Sequence, residues 1–269
     1  MKDISLEQCR NVIVNHQLRT FDHDDPVKNV YAVIDHLGYV QIDTISAIER
    51  AHHRTLWTRF SDYDKKYIDI LQDEQKLIFE YWGHALSYLP MKDFRFYRSA
   101  KRDFSRGWEK DWMEQNKAVM DFVINRIRDE GPLSSKDFDK DGSQVERGWG
   151  ERKPAKVALE LLFWSGEMMV KKRNKFVRLY DLTERVLPAG IDRKIPSEEE
   201  ATRFQITRAL QSMGIATAND IKDYICVASK KNINDSLVDM LNEGIIEQIG
   251  VHSQKNIEYF ALVDKSTTT

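Results

Sequence analysis

Gly166-Glu167-Met168-Met169-Val170-Lys171-Lys172-Arg173-Asn174-Lys175-Phe176-Val177-Arg178-Leu179-Tyr180 is the stretch from which the fold can be read. Two apolar segments, 167–170 and 176–180, flank a polar tip at 171–175, the pattern of a two-stranded hairpin. Gly166 stops the helix in front of it, because glycine takes the left-handed conformation that ends a helix at little cost. That helix covers residues 153–164, with Val157, Leu161 and Leu162 on one face and Phe163 nearby. Upstream, residues 116–129 carry Val119, Phe122, Val123 and Ile127 at near-helical spacing, and Gly131-Pro132-Leu133-Ser134 ends that helix and caps the next.

Helix, helix, helix, hairpin is the order of a winged helix, a variant of the helix-turn-helix. It recurs near the C-terminus, with helices over residues 200–213, 217–224 and 234–242, Gly244 in the place of Gly166, and a wing of 245–249 with 258–262. The N-terminal segment fits more loosely. Ser5 caps a helix through His16, Asp25-Pro26 starts another that reaches Leu37, and Gly38 opens an extended run. Residues 55–59 and 77–82 read as strands separated by a helical insertion around 64–71. The expectation is a mostly α protein with small β-hairpins, built as tandem winged-helix domains over residues 1–110, 111–190 and 197–264, with 188–196 as a linker.

At 269 residues the chain can bury cores without disulfide staples. Cys9 and Cys226 lie far apart and match no ligand spacing, which points to a reducing compartment and no structural zinc. Met1-Lys2-Asp3-Ile4-Ser5 lacks an apolar signal core and no stretch approaches membrane-spanning length, so a cytoplasmic protein away from membranes is expected. A net charge of -2 argues against a wholly basic nucleic-acid binder, yet the cations cluster. Lys171, Lys172, Arg173 and Lys175 put four of them on the hairpin tip, as on a wing that reaches phosphates, and Lys153, Lys156 and Arg178 extend the patch. A second cationic run, Lys92, Arg95, Arg98, Lys101, Arg102 and Arg106, is interleaved with Phe94, Phe96, Tyr97 and Phe104, which read as core rather than as stacking platforms.

The chemistry lies in Gly38-Tyr39-Val40-Gln41-Ile42-Asp43-Thr44-Ile45. Alternation puts Val40 and Ile42 on one face and Gln41 and Asp43 on the other. Two readings are open. The amide can orient a water whose proton the carboxylate accepts, or that stabilises a nearby cation. Alternatively Asp43 caps a strand-to-helix junction, with Thr44-Ile45-Ser46 as the turn. His52, His53 and His84 have no third ligand at metal spacing and are read as DNA contacts or as supports of the motif, and Trp82 as core.

The run 37–45, Arg50-Ala51-His52-His53, Leu56-Trp57-Thr58-Arg59, Glu80-Tyr81-Trp82-Gly83-His84, Lys153-Pro154 and Tyr180-Asp181-Leu182-Thr183-Glu184-Arg185-Val186-Leu187-Pro188 follow one another in an order that resembles the crosslink-repair DNA glycosylase family, also described as winged helix DNA-binding domain-containing proteins. The resemblance implies a monofunctional glycosylase that excises N7-alkylated purines and unhooks interstrand crosslinks, with no metal or cofactor, acting on alkylated double-stranded DNA as a monomer. It makes Gln41 and Asp43 the catalytic pair. Arg50, His52, His53, Arg54, Arg59 and His84, with Lys153, Lys156, Lys171, Lys172, Arg173, Lys175 and Arg178, are then the residues expected against DNA. Alkylation at N7 makes the purine a good leaving group, so the protein has only to stabilise the sugar cation and deliver water. A base tied to the opposite strand cannot swing fully out, and an open concave surface is expected rather than an enclosed base pocket. Tandem winged helices by themselves also fit a regulator without chemistry, and a scaffold would lack a continuous positive surface.

Overall fold

The computed structural model describes residues 2–43, 45, 48–99, 107–140, 153–225, 228–252, 254 and 256–263. Strand β1 (Lys2–Ile4) leads into helix α1 (Leu6–Gln17), which starts in a capping box: Ser5 accepts from the Gln8 N–H and the Gln8 side chain accepts from the Ser5 N–H. Helix α2 (Pro26–Leu37) opens with proline at its first turn under an Asp25 cap and closes at Gly38, whose φ of 74° only glycine adopts without strain. Strand β2 (Val40–Gln41) follows, then α3 (Ala51–Trp57), α4 (Lys66–Asp69) continued by a π-helical turn over Ile70–Glu74, the hairpin β3 (Ile78–Trp82) and β4 (Leu86–Pro90), and α5 (Phe94–Ser99).

These form a three-stranded sheet in the order β2-β4-β3, with α2 against it. Val30, Val33, Ile34, Leu37, Val40, Ile42, Leu56, Ile78 and Tyr88 make its core. Two expectations change here. Strand β4 was not foreseen, and residues 55–59, expected as a strand, lie within and just beyond a helix. Thr55 and Trp57 favour a strand locally, but burial of His52 and Leu56, one helical turn apart, wins.

The middle of the chain contributes α6 (Trp108–Gln115), α7 (Lys117–Glu130), a 3-10 turn over Asp137–Lys140, α8 (Pro154–Ser165), the hairpin β5 (Met168–Asn174) and β6 (Val177–Leu182), and α9 (Thr183–Val186). The helix ending at Gly166 and the hairpin after it stand where the spacing put them. Val123, Ile127, Leu159, Leu162, Phe163, Met168 and Tyr180 fill this core. Lys101, Arg102, Phe104 and Arg106 of the second cationic run lie outside the described residues. Phe94 and Tyr97 of that run are buried, and Phe96 stacks on Phe204 at 4.0 Å between centroids, in keeping with a core role.

The last segment is α10 (Glu198–Met213), β7 (Ile215–Ala216), α11 (Ala218–Tyr224), α12 (Lys230–Asn242), β8 (Ile246–Val251) and β9 (Tyr259–Leu262). Its sheet contains a strand from the other end of the chain: β1 pairs in parallel with β8, Lys2 opposite Ile249 and Ile4 opposite Val251, in the order β1-β8-β9-β7. Helix α1 packs on α10, so the first elements lie against the last rather than against the β2-β4-β3 sheet. No periodicity within residues 2–17 could reveal that partner. The result is a mostly helical protein with small sheets, and among the described residues no helix is long and apolar enough to cross a membrane.

Candidate active site

Gly38 turns the chain out of α2 into β2, and the Arg208 side chain lies against the bare Cα, where a Cβ would sit 3.5 Å from Cδ. From there the alternation holds. Val40 and Ile42 are buried, while Gln41 is exposed and Asp43 half-buried. Gln41 faces Ser87 across β4, and the Ile42 N–H donates to the Leu86 carbonyl at 2.8 Å. The Gln41 amide makes no hydrogen bond among the described residues.

Asp43 is held more tightly. Its N–H donates to Nδ1 of His52 at 3.3 Å, and its Oδ1 accepts from the Ile45 N–H at 2.9 Å. The second contact is the one a capping aspartate makes, and it occupies one carboxylate oxygen of the two. Thr44 and Ser46, the rest of the expected turn, lie outside the described residues.

His52 is 1% exposed, so no direct phosphate contact is open to it. Burial foremost, then the positive charges of His53, Arg173 and Arg50, pushes its pKa down to about 3, against a small opposing pull from Asp43. The ring is neutral, and because Nδ1 accepts, its proton sits on Nε2. Tyr88 meets it edge-on at 5.9 Å, and Phe176 lies nearly parallel at 6.2 Å. His53 is half-buried and bonded through Nδ1 to the Tyr63 hydroxyl at 2.7 Å.

Phe176 comes from the hairpin tip. Asn174 pairs with Val177, so Lys175 and Phe176 form a two-residue turn, both at positive φ, 47° and 71°. An aromatic residue pays for that conformation in strain, and here the ring is clamped. The Arg50 guanidinium lies 3.8 Å from its centroid and that of Arg173 4.3 Å, and the ring packs against the core under β2.

The cations of the wing are therefore not a protruding patch. Arg173 donates through Nε and Nη2 to the two oxygens of Glu80 at 2.8 and 2.7 Å, with side chains 9% and 0% exposed. Gln72 donates to Glu80 and to the Val170 carbonyl, and Arg178 lies 3.7 Å from Glu80. Lys172 pairs with Asp73 at 2.8 Å, and Lys171 lies 3.8 Å from the same carboxylate. Lys175 at the tip stays exposed. The hairpin is laid across the β2-β4-β3 sheet, and the carboxylates of 73 and 80 receive it. Glu80, Gln72, Asp73 and Phe176 escaped the sequence reading, although a glutamate inside the apolar run 77–82 was a sign of a buried partner.

The remaining candidates divide. Arg54 is exposed on α3, His84 is exposed in the β3–β4 turn, and Lys153 and Lys156 are exposed in the first turn of α8. Arg59 turns away from the motif: Nε donates to the Gln17 carbonyl at 2.6 Å and Nη1 to the Thr55 carbonyl at 2.8 Å. Trp82, expected in the core, is 51% exposed with its edge against Trp164 at 5.5 Å. It sits at the open end of β3, where the hairpin outruns its cover. A cavity of about 880 Å³ opens elsewhere, between α1, α2, α10 and the C-terminal sheet, and neither Gln41 nor Asp43 lines it.

A family model described as DNA glycosylase AlkZ-like matches residues 34–267, from the end of α2 through β9. Among solved structures, the Streptomyces sahachiroi DNA glycosylase AlkZ superposes with a TM-score of 0.64 at 18% identity, covering 98% of this chain and 71% of that one. At that identity the likeness is one of fold.

Proposed function

The chain belongs to the family of AlkZ-like DNA glycosylases, and from that membership we propose that it hydrolyses the N-glycosidic bond of N7-alkylated purines in double-stranded DNA, unhooking interstrand crosslinks where the alkyl group bridges two strands, with Gln41 and Asp43 as the groups that do it. One observation carries this reading. Two polar side chains stand about 7 Å apart along an extended backbone, facing solvent from a strand whose other face is buried core.

In this reading a water lies between them. The Ile45 N–H fixes one oxygen of the Asp43 carboxylate and leaves the other for the reaction. As the bond from C1′ to the charged purine lengthens, positive charge grows on the sugar and Asp43 stabilises it. The Gln41 amide, unengaged by the described residues, orients the water that attacks C1′, and Asp43 accepts its proton. The purine leaves as a neutral base, so no general acid is needed. His52, neutral and buried, holds the Asp43 main chain and takes no proton itself. Arg50, Arg54, His84, Lys156 and Lys175 are the groups for DNA phosphates on this side.

The three helix-and-hairpin units are read as winged helices, the first carrying the motif and the second bracing it with its wing. The protein acts as a monomer on a base kept close to the helix, a reading favoured by the exposure of Gln41 at the open surface.

The test is a duplex with a single N7-methylguanine, its abasic product revealed by alkaline cleavage. Wild type releases the base, and Asp43→Asn does so at least a hundredfold more slowly. Equal rates would remove Asp43 from the mechanism, and no product from wild type would remove the substrate.

A further inference from the structure

Ile45 is 73% exposed and Ile48 94% exposed, both in the loop that leaves Asp43 and re-enters the fold at α3. A single exposed isoleucine is unremarkable on a soluble protein. Two within four residues, just beyond the candidate carboxylate, are a different matter, because the described residues on either side of them are held in place. The first end is tied by the Asp43 N–H to His52 and by the Asp43 carboxylate to the Ile45 N–H. The second end is tied by Glu49, which pairs with Lys65 and accepts from the Arg50 N–H at 3.0 Å, and by Arg50, whose guanidinium lies over the Phe176 ring. Both ends are pinned, and Ile45 and Ile48 between them face solvent.

We propose that Ile45 and Ile48 form a wedge for duplex DNA: Ile48 enters the base stack beside the damaged nucleotide, and Ile45 packs against the exposed sugar next to Asp43. The occupant follows from the surroundings. The protein is a DNA glycosylase by family, Arg50 and Arg54 follow Ile48 in the chain, and an apolar side chain carried beside cations is what kinks a duplex by parting a base step. Parting the step exposes C1′ to a carboxylate that sits at the surface, and the base need not swing into an enclosed pocket. The role of Asp43 rests on the proposed chemistry, whereas the unstacking does not depend on it.

The full chain is titrated onto a duplex with 2-aminopurine beside a single N7-methylguanine, with fluorescence read for unstacking and anisotropy for binding. Wild type and Ile48→Leu raise the fluorescence severalfold. Ile48→Ser binds within about tenfold of wild type and leaves the fluorescence at the level of the free duplex. In a second measurement, Ile48→Ser releases the base at least tenfold more slowly from a paired duplex, and at the wild-type rate when the lesion faces a mismatched, already unstacked site. A wild type that leaves 2-aminopurine quenched, or Ile48→Ser that brightens it equally, overturns the wedge. So does slowing of both substrates alike, or loss of binding to intact and damaged DNA together, which would make the loop a general contact. Asp43→Asn separates the two proposals: it brightens 2-aminopurine as wild type does and releases the base at least a hundredfold more slowly. Base release by that variant at the wild-type rate would overturn the chemistry while the fluorescence still decides the wedge.

Discussion

The Asp43 N–H and Nδ1 of His52, 3.3 Å apart, join the strand that carries the candidate carboxylate to the helix on the far side of its loop. The acceptor is a ring that burial keeps neutral, with a pKa near 3. Protonation of Nδ1 would break the bond and place a charge in the core.

Stability should therefore fall on acidification. An unfolded histidine titrates near 6.5, so above that pH the folded and unfolded chains hold the same number of protons at this site. Below it the unfolded chain takes up a proton that the folded one refuses, and stability is lost at up to about 1.4 kcal/mol per pH unit until the folded ring titrates near 3. Urea unfolding from pH 7.5 to 5 should show this slope in wild type and a shallower one in His52→Gln. Parallel slopes would refute the assignment.

Gln41 is exposed and its side chain makes no hydrogen bond among the described residues. Gln41→Ala should leave the unfolding midpoint within about 0.5 kcal/mol of wild type and slow base release by about 10–100-fold through loss of the oriented water. Single-turnover kinetics alongside urea unfolding checks both halves.

Glu80 and Arg173 are nearly fully buried partners that seat the second hairpin on the first sheet. Removing either strands a charge, so Arg173→Met or Glu80→Leu should cost about 3–5 kcal/mol, and the double substitution less than the sum. A double-mutant cycle in urea measures the difference.

Arg54 and Lys175 are exposed, whereas Arg59 is spent on the carbonyls of Gln17 and Thr55. Arg54→Gln and Lys175→Gln should each reduce the slope of log affinity against log salt by about 0.9. Arg59→Gln should leave that slope alone and lower stability instead. Fluorescence anisotropy across a salt series tells them apart.

Gly214 ends α10 at a φ of 74°, with the His16 ring so close that a Cβ would lie 2.5 Å from it. Gly214→Ala should cost about 1–3 kcal/mol, from left-handed backbone strain and the displaced ring, whose Nδ1 contacts the Gln211 carbonyl at 3.2 Å. A thermal midpoint unchanged within a degree would contradict this.

How far the chain can be read without its fold depends on how far apart the deciding atoms are. The cap at Ser5, the helix stops at Gly38 and Gly166, and the exposure of Gln41 beside buried Val40 and Ile42 follow from interactions spanning four residues or fewer, and each was legible in the sequence. Residues 55–59 misled because their strand propensity is a local quantity, and the burial of His52 and Leu56 that overrode it is not.

The sequence by itself determined the alternation that aims an amide and a carboxylate the same way, since side-chain direction in an extended backbone is set by the pleat. Only the tertiary structure decided which cations remain for DNA. Arg173 is spent on Glu80, 93 positions away, and Lys172 on Asp73, 99 positions away. Charge is written in the chain one residue at a time, but whether it is free depends on which opposite charge the fold brings within reach, and burial between units makes that choice. The same holds for Phe176, which became part of the site because a hairpin tip from one unit was laid against the histidine of another.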